Sequence, residues 1–149
     1  MKKLTLIALS ALMLMGACKK SDDIDKIFEG RTWYIVRGTI QGRPISGDNL
    51  KQFYQNDNAY QIRFGKESLQ GTLSSGVSFS GTWKADGKKQ TMELILLNIS
   101  GSASELDNAI FNTLRKTISY KGDENQIELR ADDQNFIGFN STRTKESNY

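Results

Sequence analysis

The side chains most often used in catalysis are scarce in this sequence, and their scarcity limits its chemistry. It contains no histidine and a single cysteine. A serine activated by histidine, histidine-based proton transfer and a zinc site built from several His or Cys ligands are therefore excluded. A single cysteine also cannot form an intrachain disulfide. Carboxylates and lysines remain as the side chains that could transfer protons.

Two pairs of neighbouring acidic residues are the best remaining candidates for hydrolysis, Asp123-Glu124 and Asp132-Asp133. Both lie in predicted turns, where Asp is favoured because its side chain hydrogen-bonds the local backbone. Paired carboxylates act as acid and base when a cleft separates their pKa values, which a turn does not provide. Neither pair has the spacing of a calcium-binding loop. We therefore expect a protein that is not an enzyme, with no catalytic residue, metal or cofactor.

The first 18 residues have the pattern of a bacterial export signal. Two lysines precede an apolar run over residues 4–15, and Gly16-Ala17 stands directly before Cys18. A run of about a dozen apolar residues is too short for a membrane-spanning helix, which needs about twenty. We therefore expect residues 1–17 to be cleaved. The end of the run resembles the lipobox of bacterial lipoproteins, and this resemblance implies that Cys18 becomes the lipidated first residue.

The segment after the cleavage site predicts a flexible, solvated tether over residues 18–27, because it is mixed in charge and lacks apolar periodicity. Its Ser21-Asp22-Asp23 resembles the acidic signals of some Gram-negative lipoproteins that reach the cell surface, although a plain spacer explains it equally well. The lipobox implies an outer-membrane lipoprotein of a Gram-negative bacterium, facing the periplasm or the exterior. Its contact with the membrane would be the lipid on Cys18.

The net charge excludes one class of partner. Without the two lysines of the export signal, 18 basic and 17 acidic side chains remain, a net charge of +1. The chain also has no block of about five or six like charges. Binding to the phosphates of nucleic acid requires clustered Lys and Arg. We therefore expect no nucleic acid partner.

From Phe28 onward the sequence predicts short β-strands separated by glycine-bearing turns. Residues 33–40 are rich in β-branched and aromatic side chains. Residues 77–84 alternate between apolar or glycine positions and polar positions, which predicts a strand with one buried face. The nearly continuous apolar run over residues 92–97 predicts a strand covered on both faces.

Two helical segments are expected among these strands. Asp48 is predicted to be the N-cap of a short helical turn. Ser102 and Glu105 have the spacing of a capping box at the start of a longer helix that ends near Lys116. One side of this helix is apolar and is expected to be buried, while Asp107 is expected on its polar side.

These elements predict a mainly β protein with one domain over residues 28–149. Eight or so short strands at this spacing favour a small antiparallel β-barrel, closed or nearly closed. One α-helix, at about residues 102–116, is inserted between late strands. The polar tail over residues 141–149 is expected to form a last edge strand or a frayed end.

Four aromatic residues are the candidates for binding a small molecule. They are Trp33, Tyr60, Phe79 and Trp83. In a barrel they could line a pocket at the mouth, where small-molecule sites usually lie. Core packing explains the same residues, because aromatic side chains dominate small cores. An open apolar cavity of at least about 300 Å³ would favour a carrier, whereas a filled interior would favour binding at the surface.

The order of elements resembles the META domain family over about residues 28–139. The motifs that carry this resemblance are, in order, Phe79-Ser80-Gly81-Thr82-Trp83, an apolar strand, a helix ending near Leu114, Ser119-Tyr120, Gly122-Asp123 and Ile127-Glu128-Leu129. The resemblance implies a non-enzymatic envelope protein, related to stress tolerance or secretion, that binds a protein or an envelope component. It supplies no active-site residue.

A second resemblance leaves an alternative open. Gly30-Arg31-Thr32-Trp33 is similar to the first strand of bacterial lipocalin-like lipoproteins, in which a Gly and a Trp stand close together. This resemblance implies a carrier of a small apolar ligand. Both families are small antiparallel barrels.

Overall fold

The computed structural model describes residues 23–143, which form three helices and nine strands. The helices are α1 (Ile24–Ile27), α2 (Gly47–Gln55) and α3 (Glu105–Arg115). The strands are β1 (Thr32–Ile40), β2 (Arg43–Pro44), β3 (Gln61–Phe64), β4 (Ser68–Thr72), β5 (Ser78–Asp86), β6 (Thr91–Leu96), β7 (Ser119–Gly122), β8 (Gln126–Arg130) and β9 (Phe136–Asn140). The predicted export signal, Cys18 and residues 144–149 lie outside the described residues.

Eight of the strands close an antiparallel β-barrel. They pair in the order β1-β3-β4-β5-β6-β7-β8-β9, and β9 pairs back with β1. β2 adds a short extra strand beside the end of β1. α3 connects β6 to β7. The prediction of a small antiparallel barrel of about eight strands, with one helix inserted between late strands, is confirmed.

Side chains fill the interior of the barrel. The strands alternate as expected, so that one face of each strand points inward. Inward side chains that are at most 1% exposed include Trp33, Ile35, Ile62, Phe64, Leu69, Tyr120, Ile127, Leu129, Ile137 and Phe139. Each buried aromatic side chain removes about 150 to 250 Å² from water, so the aromatic residues of this set dominate the packing of the core.

Helix α1 closes one end of the barrel. The Phe28 ring, directly after α1, lies 5.1 Å from the Tyr120 ring and 5.5 Å from the Trp83 ring. Trp33 Nε1 donates a hydrogen bond of 2.9 Å to the carbonyl oxygen of Ile27. The structure thus places residues 23–27, the last part of the tether predicted over residues 18–27, in the folded domain. Four residues are too few to show a helical period, which is why the sequence did not reveal this helix.

Helices α2 and α3 lie at the opposite end. Phe53 of α2 contacts Tyr60, with ring centroids 4.9 Å apart, and Phe111 of α3 contacts Phe79 at 5.4 Å. Leu106, Ile110 and Leu114 of α3 are buried, as their spacing predicted. No helix among the described residues has the length and apolar character needed to cross a membrane.

The helix caps differ from those predicted. The capping box of α3 is formed by Ser104 and Asp107 rather than by Ser102 and Glu105, so the helix begins at Glu105. α2 is a nine-residue helix whose N-cap is Ser46, and Asp48 lies in its first turn. At α3 two Ser-acid pairs stand near the helix start, and contacts of Asp107 with Ser74 and Tyr60 accompany the second pair. At α2 the side chain of Ser46 makes no capping hydrogen bond.

Strand β6 is not covered on both faces. Met92 and Leu94 are 2% and 4% exposed, whereas Ile95 and Leu97 are 57% and 61% exposed. The prediction from the apolar run 92–97 is therefore wrong. A barrel wall has an inner and an outer face, and the outer one here carries two large aliphatic side chains without a covering layer.

The start of the polar tail is fastened to the barrel. Arg143 donates hydrogen bonds of 2.9 Å and 3.0 Å to the carbonyl oxygens of Asn56 and Ala59. Its guanidinium group lies 4.7 Å from the centre of the Tyr34 ring. Residues 141–143 therefore form neither a frayed end nor an edge strand, the two outcomes expected for the tail.

Candidate functional site

The four aromatic residues predicted to line a pocket belong to the core. Trp33, Tyr60, Phe79 and Trp83 are 0%, 2%, 4% and 9% exposed. Trp33 and Trp83 lie at the end closed by α1, whereas Tyr60 and Phe79 lie at the end closed by α2 and α3. The fold therefore does not bring the four together around one space.

A buried carboxylate connects three segments at the α3 end. Asp107 is fully buried, and its Oδ1 accepts hydrogen bonds from Tyr60 Oη at 3.1 Å and from the Ser74 backbone N–H at 3.2 Å. Its Oδ2 accepts from Ser74 Oγ and from the Ser104 backbone N–H. The expectation that Asp107 lies on the polar side of the helix is wrong, because this carboxylate finds partners inside the fold.

The pKa values in this cluster show what it can do chemically. Burial by itself would raise the pKa of Asp107, but hydrogen bonds from Ser74 and Ser104 outweigh burial and lower it. Burial, together with the neighbouring Asp107 charge, raises the pKa of Tyr60 well above its usual range. The carboxylate therefore keeps its charge and the phenol keeps its proton at neutral pH. Such a pair suits a structural link rather than acid-base catalysis.

The acidic pairs in the turns have backbone partners. Asp123 Oδ1 accepts hydrogen bonds from the N–H groups of Asn125 at 2.8 Å and Gln126 at 3.2 Å. Asp132 Oδ1 accepts from Gln134 N–H at 2.7 Å, and this bond is the main reason that the Asp132 pKa is lowered. Both carboxylates thus hydrogen-bond the local backbone, as expected of Asp in turns. Within residues 23–143, no cluster of three or more acidic side chains is placed to hold a metal.

The outer surface of strands β4, β5 and β6 carries the clearest candidate site, which we call the outer β4–β6 face. Along β4, in β5 as far as Thr82 and in the segment from Ile95 onward, its outward side chains are neutral: Ser68, Gln70, Thr72, Ser78, Ser80, Thr82, Ile95 and Leu97. The outward and charged Lys84 and Glu93, further along β5 and β6, bound this face. The neutral side chains lie in cross-strand rows, because Gln70 pairs with Ser80 and Thr82 pairs with Ile95. Directly opposed side chains have Cβ atoms about 4.5 to 5.5 Å apart, so the face is continuous.

Two adjoining clefts lie on this face. One has a volume of about 380 Å³ and an apolar side formed by Ile95 and Leu97. The other has a volume of about 340 Å³ and is lined mainly by polar groups, including those of Asn98 and Ser100. Gln70 and Ser80 line both clefts. The two clefts therefore form one groove with an apolar part and a polar part.

Charged side chains stand around this groove, and Arg63 of β3 lies directly opposite Gln70 in the strand register. Lys84 and Glu93 form an ion pair at 2.9 Å beyond its apolar part. On β1 and β8, Arg37 and Glu128 form another ion pair at 3.3 Å. The strand alternation predicted the outward hydroxyl groups of β5, but it did not predict the exposed Ile95 and Leu97, since apolar residues are expected inside.

Comparison with known proteins identifies relatives and a matching fold. Residues 19–141 match the family described as Domain of unknown function (DUF4847). The structure is similar to the crystal structure of a DUF4847 family protein from Bacteroides vulgatus ATCC 8482, with a TM-score of 0.68 and 22% identity. The similarity covers 82% of this chain and 99% of that chain, and at this identity it shows the fold alone. No curated protein matches the sequence.

Proposed function

The chain belongs to the DUF4847 family, and we propose that it is a non-enzymatic outer-membrane lipoprotein whose barrel binds a protein or another envelope component at its outer surface. The role in stress tolerance or secretion that the META resemblance implies is part of this proposal. The position of α3 between β6 and β7 supports that resemblance, since lipocalins usually carry their main helix after the last barrel strand.

The filled interior is the observation that carries the proposal. A carrier of a small apolar ligand needs a cavity of about 300 Å³ or more inside the barrel. Here Phe28 and Trp83 fill the α1 end, and Tyr60 and Phe111 fill the other end. Opening either end would expose large side chains, at a cost of about 1.5 to 3 kcal/mol for each. The outer surface is thus better suited to binding than the interior.

Two observations support the lipid anchor. The family match begins at Lys19, the residue directly after Cys18, as expected for a mature chain that begins at Cys18. The first described helix, α1, begins at Ile24, six residues after Cys18 in the sequence.

The anchor is tested by exchanging Cys18 for Ser in the full chain. The wild type is expected in the detergent phase after phase partition of cells, because two or more lipid chains anchor a protein stably at about 0.8 kcal/mol per buried CH₂. The Cys18→Ser variant is expected in the aqueous phase, with an unchanged denaturation midpoint. A Ser21→Ala variant, which keeps the cysteine, serves as the control. Equal recovery of wild type and Cys18→Ser in the detergent phase would contradict the proposal.

Binding at the outer surface is tested in cells with a photoreactive residue in the lipidated chain. We expect a cross-linked product from position 95, on the outer β4–β6 face, and none from the exposed position 126 at the start of β8. If neither position gives a product, or both give the same one, the outer β4–β6 face is not the binding surface.

A further inference from the structure

The geometry points to a neutral carbohydrate chain as the ligand of the outer β4–β6 face, and we propose that Gln70 and Asn98 bind its hydroxyl groups while Ile95 and Leu97 contact its apolar ring faces. This inference rests on the proposed function, because it gives the chemistry of the envelope component that would bind at the outer surface.

The lining of the groove carries no charge. Neither cleft of the outer β4–β6 face has an acidic or basic side chain in its wall. Arg63 of β3 pairs with Gln70 in the strand register, but it belongs to the lining of neither cleft. A phosphate, carboxylate or ammonium group held within the clefts would lose water without gaining an ion pair from their walls, which is costly. The ligand that fits this groove is therefore neutral.

The polar part of the groove offers many hydrogen bonds. The amides of Gln70 and Asn98 each supply two N–H donors and one carbonyl acceptor, and the hydroxyl groups of Ser78 and Ser100 each donate and accept. Within residues 23–143, no protein group hydrogen-bonds these four side chains. An apolar ligand would cover them and leave them unsatisfied, at a cost of about 1 to 3 kcal/mol per group. A ligand with closely spaced hydroxyl groups satisfies donors and acceptors together.

The apolar part adjoins these groups directly. Ile95 and Leu97 are more than half exposed, and their cleft shares Gln70 and Ser80 with the polar one. Together they give the cleft an apolar wall that the C–H groups of a ligand can contact. A sugar ring presents hydroxyl groups at its edge and C–H groups on its faces, so it can meet both parts of the groove at once.

The topology disfavours an extended peptide in this groove. β4 pairs with β3 and β5, and β5 pairs with β4 and β6, so both strands beneath the clefts already have two partners. An added peptide strand needs a free sheet edge for its backbone hydrogen bonds. The groove instead offers side-chain amide, hydroxyl and alkyl groups, which are the groups that bind a sugar.

The segment that carries Asn98 is held against β5. Leu97 N–H donates a 2.8 Å hydrogen bond to the Ser80 carbonyl oxygen, and Ser78 and Ser100 exchange backbone hydrogen bonds of 3.1 Å and 2.8 Å. Asn98 is thus anchored on both sides. A preformed groove loses little conformational entropy on binding, which favours affinity.

The proposal is tested by titrating the full chain in detergent with neutral tetrasaccharides of glucose, galactose, mannose and N-acetylglucosamine, measured by calorimetry. At least one should bind, and raising salt from about 0.05 to 0.5 M should leave its affinity unchanged, because no ion pair is involved. Gln70→Ala and Asn98→Ala should each weaken binding about two- to tenfold, the loss expected for one hydrogen bond. Gln126→Ala, an exposed glutamine on β8, should have no effect.

The outcomes separate this proposal from the broader one. Binding of no tetrasaccharide, or binding that Gln70→Ala and Asn98→Ala leave unchanged, would overturn the carbohydrate ligand. If position 95 then still cross-links to a protein in cells, the outer β4–β6 face binds a protein, and the proposed function stands while this inference fails. If position 95 also gives no product, both fail. Unchanged denaturation midpoints of the Gln70 and Asn98 variants show that they are folded.

Discussion

The Tyr60 hydroxyl group lies 3.1 Å from Oδ1 of Asp107 and also 3.1 Å from Oε1 of Gln52. Since Gln52 belongs to α2 and Asp107 to α3, the phenol stands between the two helices that close this end of the barrel. Its backbone adopts the left-handed conformation, with φ of 52°, which is unusual for a bulky residue. Hydrogen bonds from Tyr60 N–H to Leu73 and from Ile35 N–H to Tyr60 hold it there.

Exchange of Asp107 for Asn should destabilise the domain. The amide has one acceptor oxygen in place of two, so part of the set of N–H and O–H donors around it loses its partner in a buried site. The expected loss is about 1 to 3 kcal/mol in the free energy of unfolding, measured by urea titration. Asp48→Asn, at a side chain that is 98% exposed, is the control and should change it by less than about 0.5 kcal/mol. Equal midpoints of the two variants would contradict this role.

The contribution of Asp107 should also depend on pH. Its folded-state pKa is lowered below the ordinary value of 3.8, so its ionised form stabilises the folded state. This contribution is fully present above the unfolded-state pKa and is lost as pH falls through the folded-state pKa. The difference in stability between wild type and Asp107→Asn should be constant near neutral pH and should shrink below pH 3.8. A difference that grows on acidification would show the opposite sign.

Removal of the Tyr60 hydroxyl group tests the link between the helices. Tyr60→Phe keeps the buried ring and should cost about 0.5 to 1.5 kcal/mol, the usual worth of a hydrogen bond. Combined with Asp107→Asn, its effect should be non-additive by at least about 0.5 kcal/mol, since the two side chains are in contact. Tyr34→Phe, whose hydroxyl group has no hydrogen-bond partner among the described residues, is the matched control. Strict additivity would mean that the two residues do not interact.

Gly81 should not tolerate a side chain. A Cβ atom built there would overlap the carbonyl oxygen of Ile95 on the neighbouring strand. Gly81→Val is therefore expected to destabilise the domain by more than about 1 kcal/mol, measured from the denaturation midpoint. Thr82→Val changes the next, outward residue with little change in volume and should cost less than about 0.5 kcal/mol.

The buried side of α3 should be far more sensitive than its exposed side. Ile110 is fully buried, so Ile110→Ala should cost about 2 to 5 kcal/mol from lost packing and the cavity left behind. Asn112 is exposed, and Asn112→Ala should cost less than about 0.5 kcal/mol. Equal urea midpoints of the two variants would mean that α3 does not pack on the barrel.

Local patterns sufficed for most of the barrel. The alternation over residues 77–84 correctly placed Phe79 and Trp83 inside and the hydroxyl groups of Ser78 and Ser80 outside. Such alternation depends on neighbours two residues apart, which is information that a short stretch of sequence contains. The helix between late strands was predicted for the same reason, because its apolar residues recur with the helical period.

Long-range contacts decided what the sequence could not predict. Ser102 with Glu105 matches the usual capping box, and Ser104 with Asp107 has the same spacing but an Asp in place of the usual Glu or Gln. Ser74 and Tyr60, more than thirty residues away, select the second by binding Asp107. Strand alternation in the sequence predicted the outward polar residues of the outer β4–β6 face, but it did not predict that Ile95 and Leu97 are exposed. Whether an aliphatic side chain is exposed depends on which face of its strand lacks a covering layer.

The position of α1 has a consequence for how the protein would stand on a membrane. Four residues separate Cys18 from Asp23, the N-cap of α1. The five peptide units between them span at most about 17 Å. A lipid on Cys18 would therefore hold the α1 end of the barrel next to the bilayer and leave the α2 and α3 end pointing away from it. The outer β4–β6 face would then stand as a side wall above the lipid headgroups, accessible from the plane of the membrane.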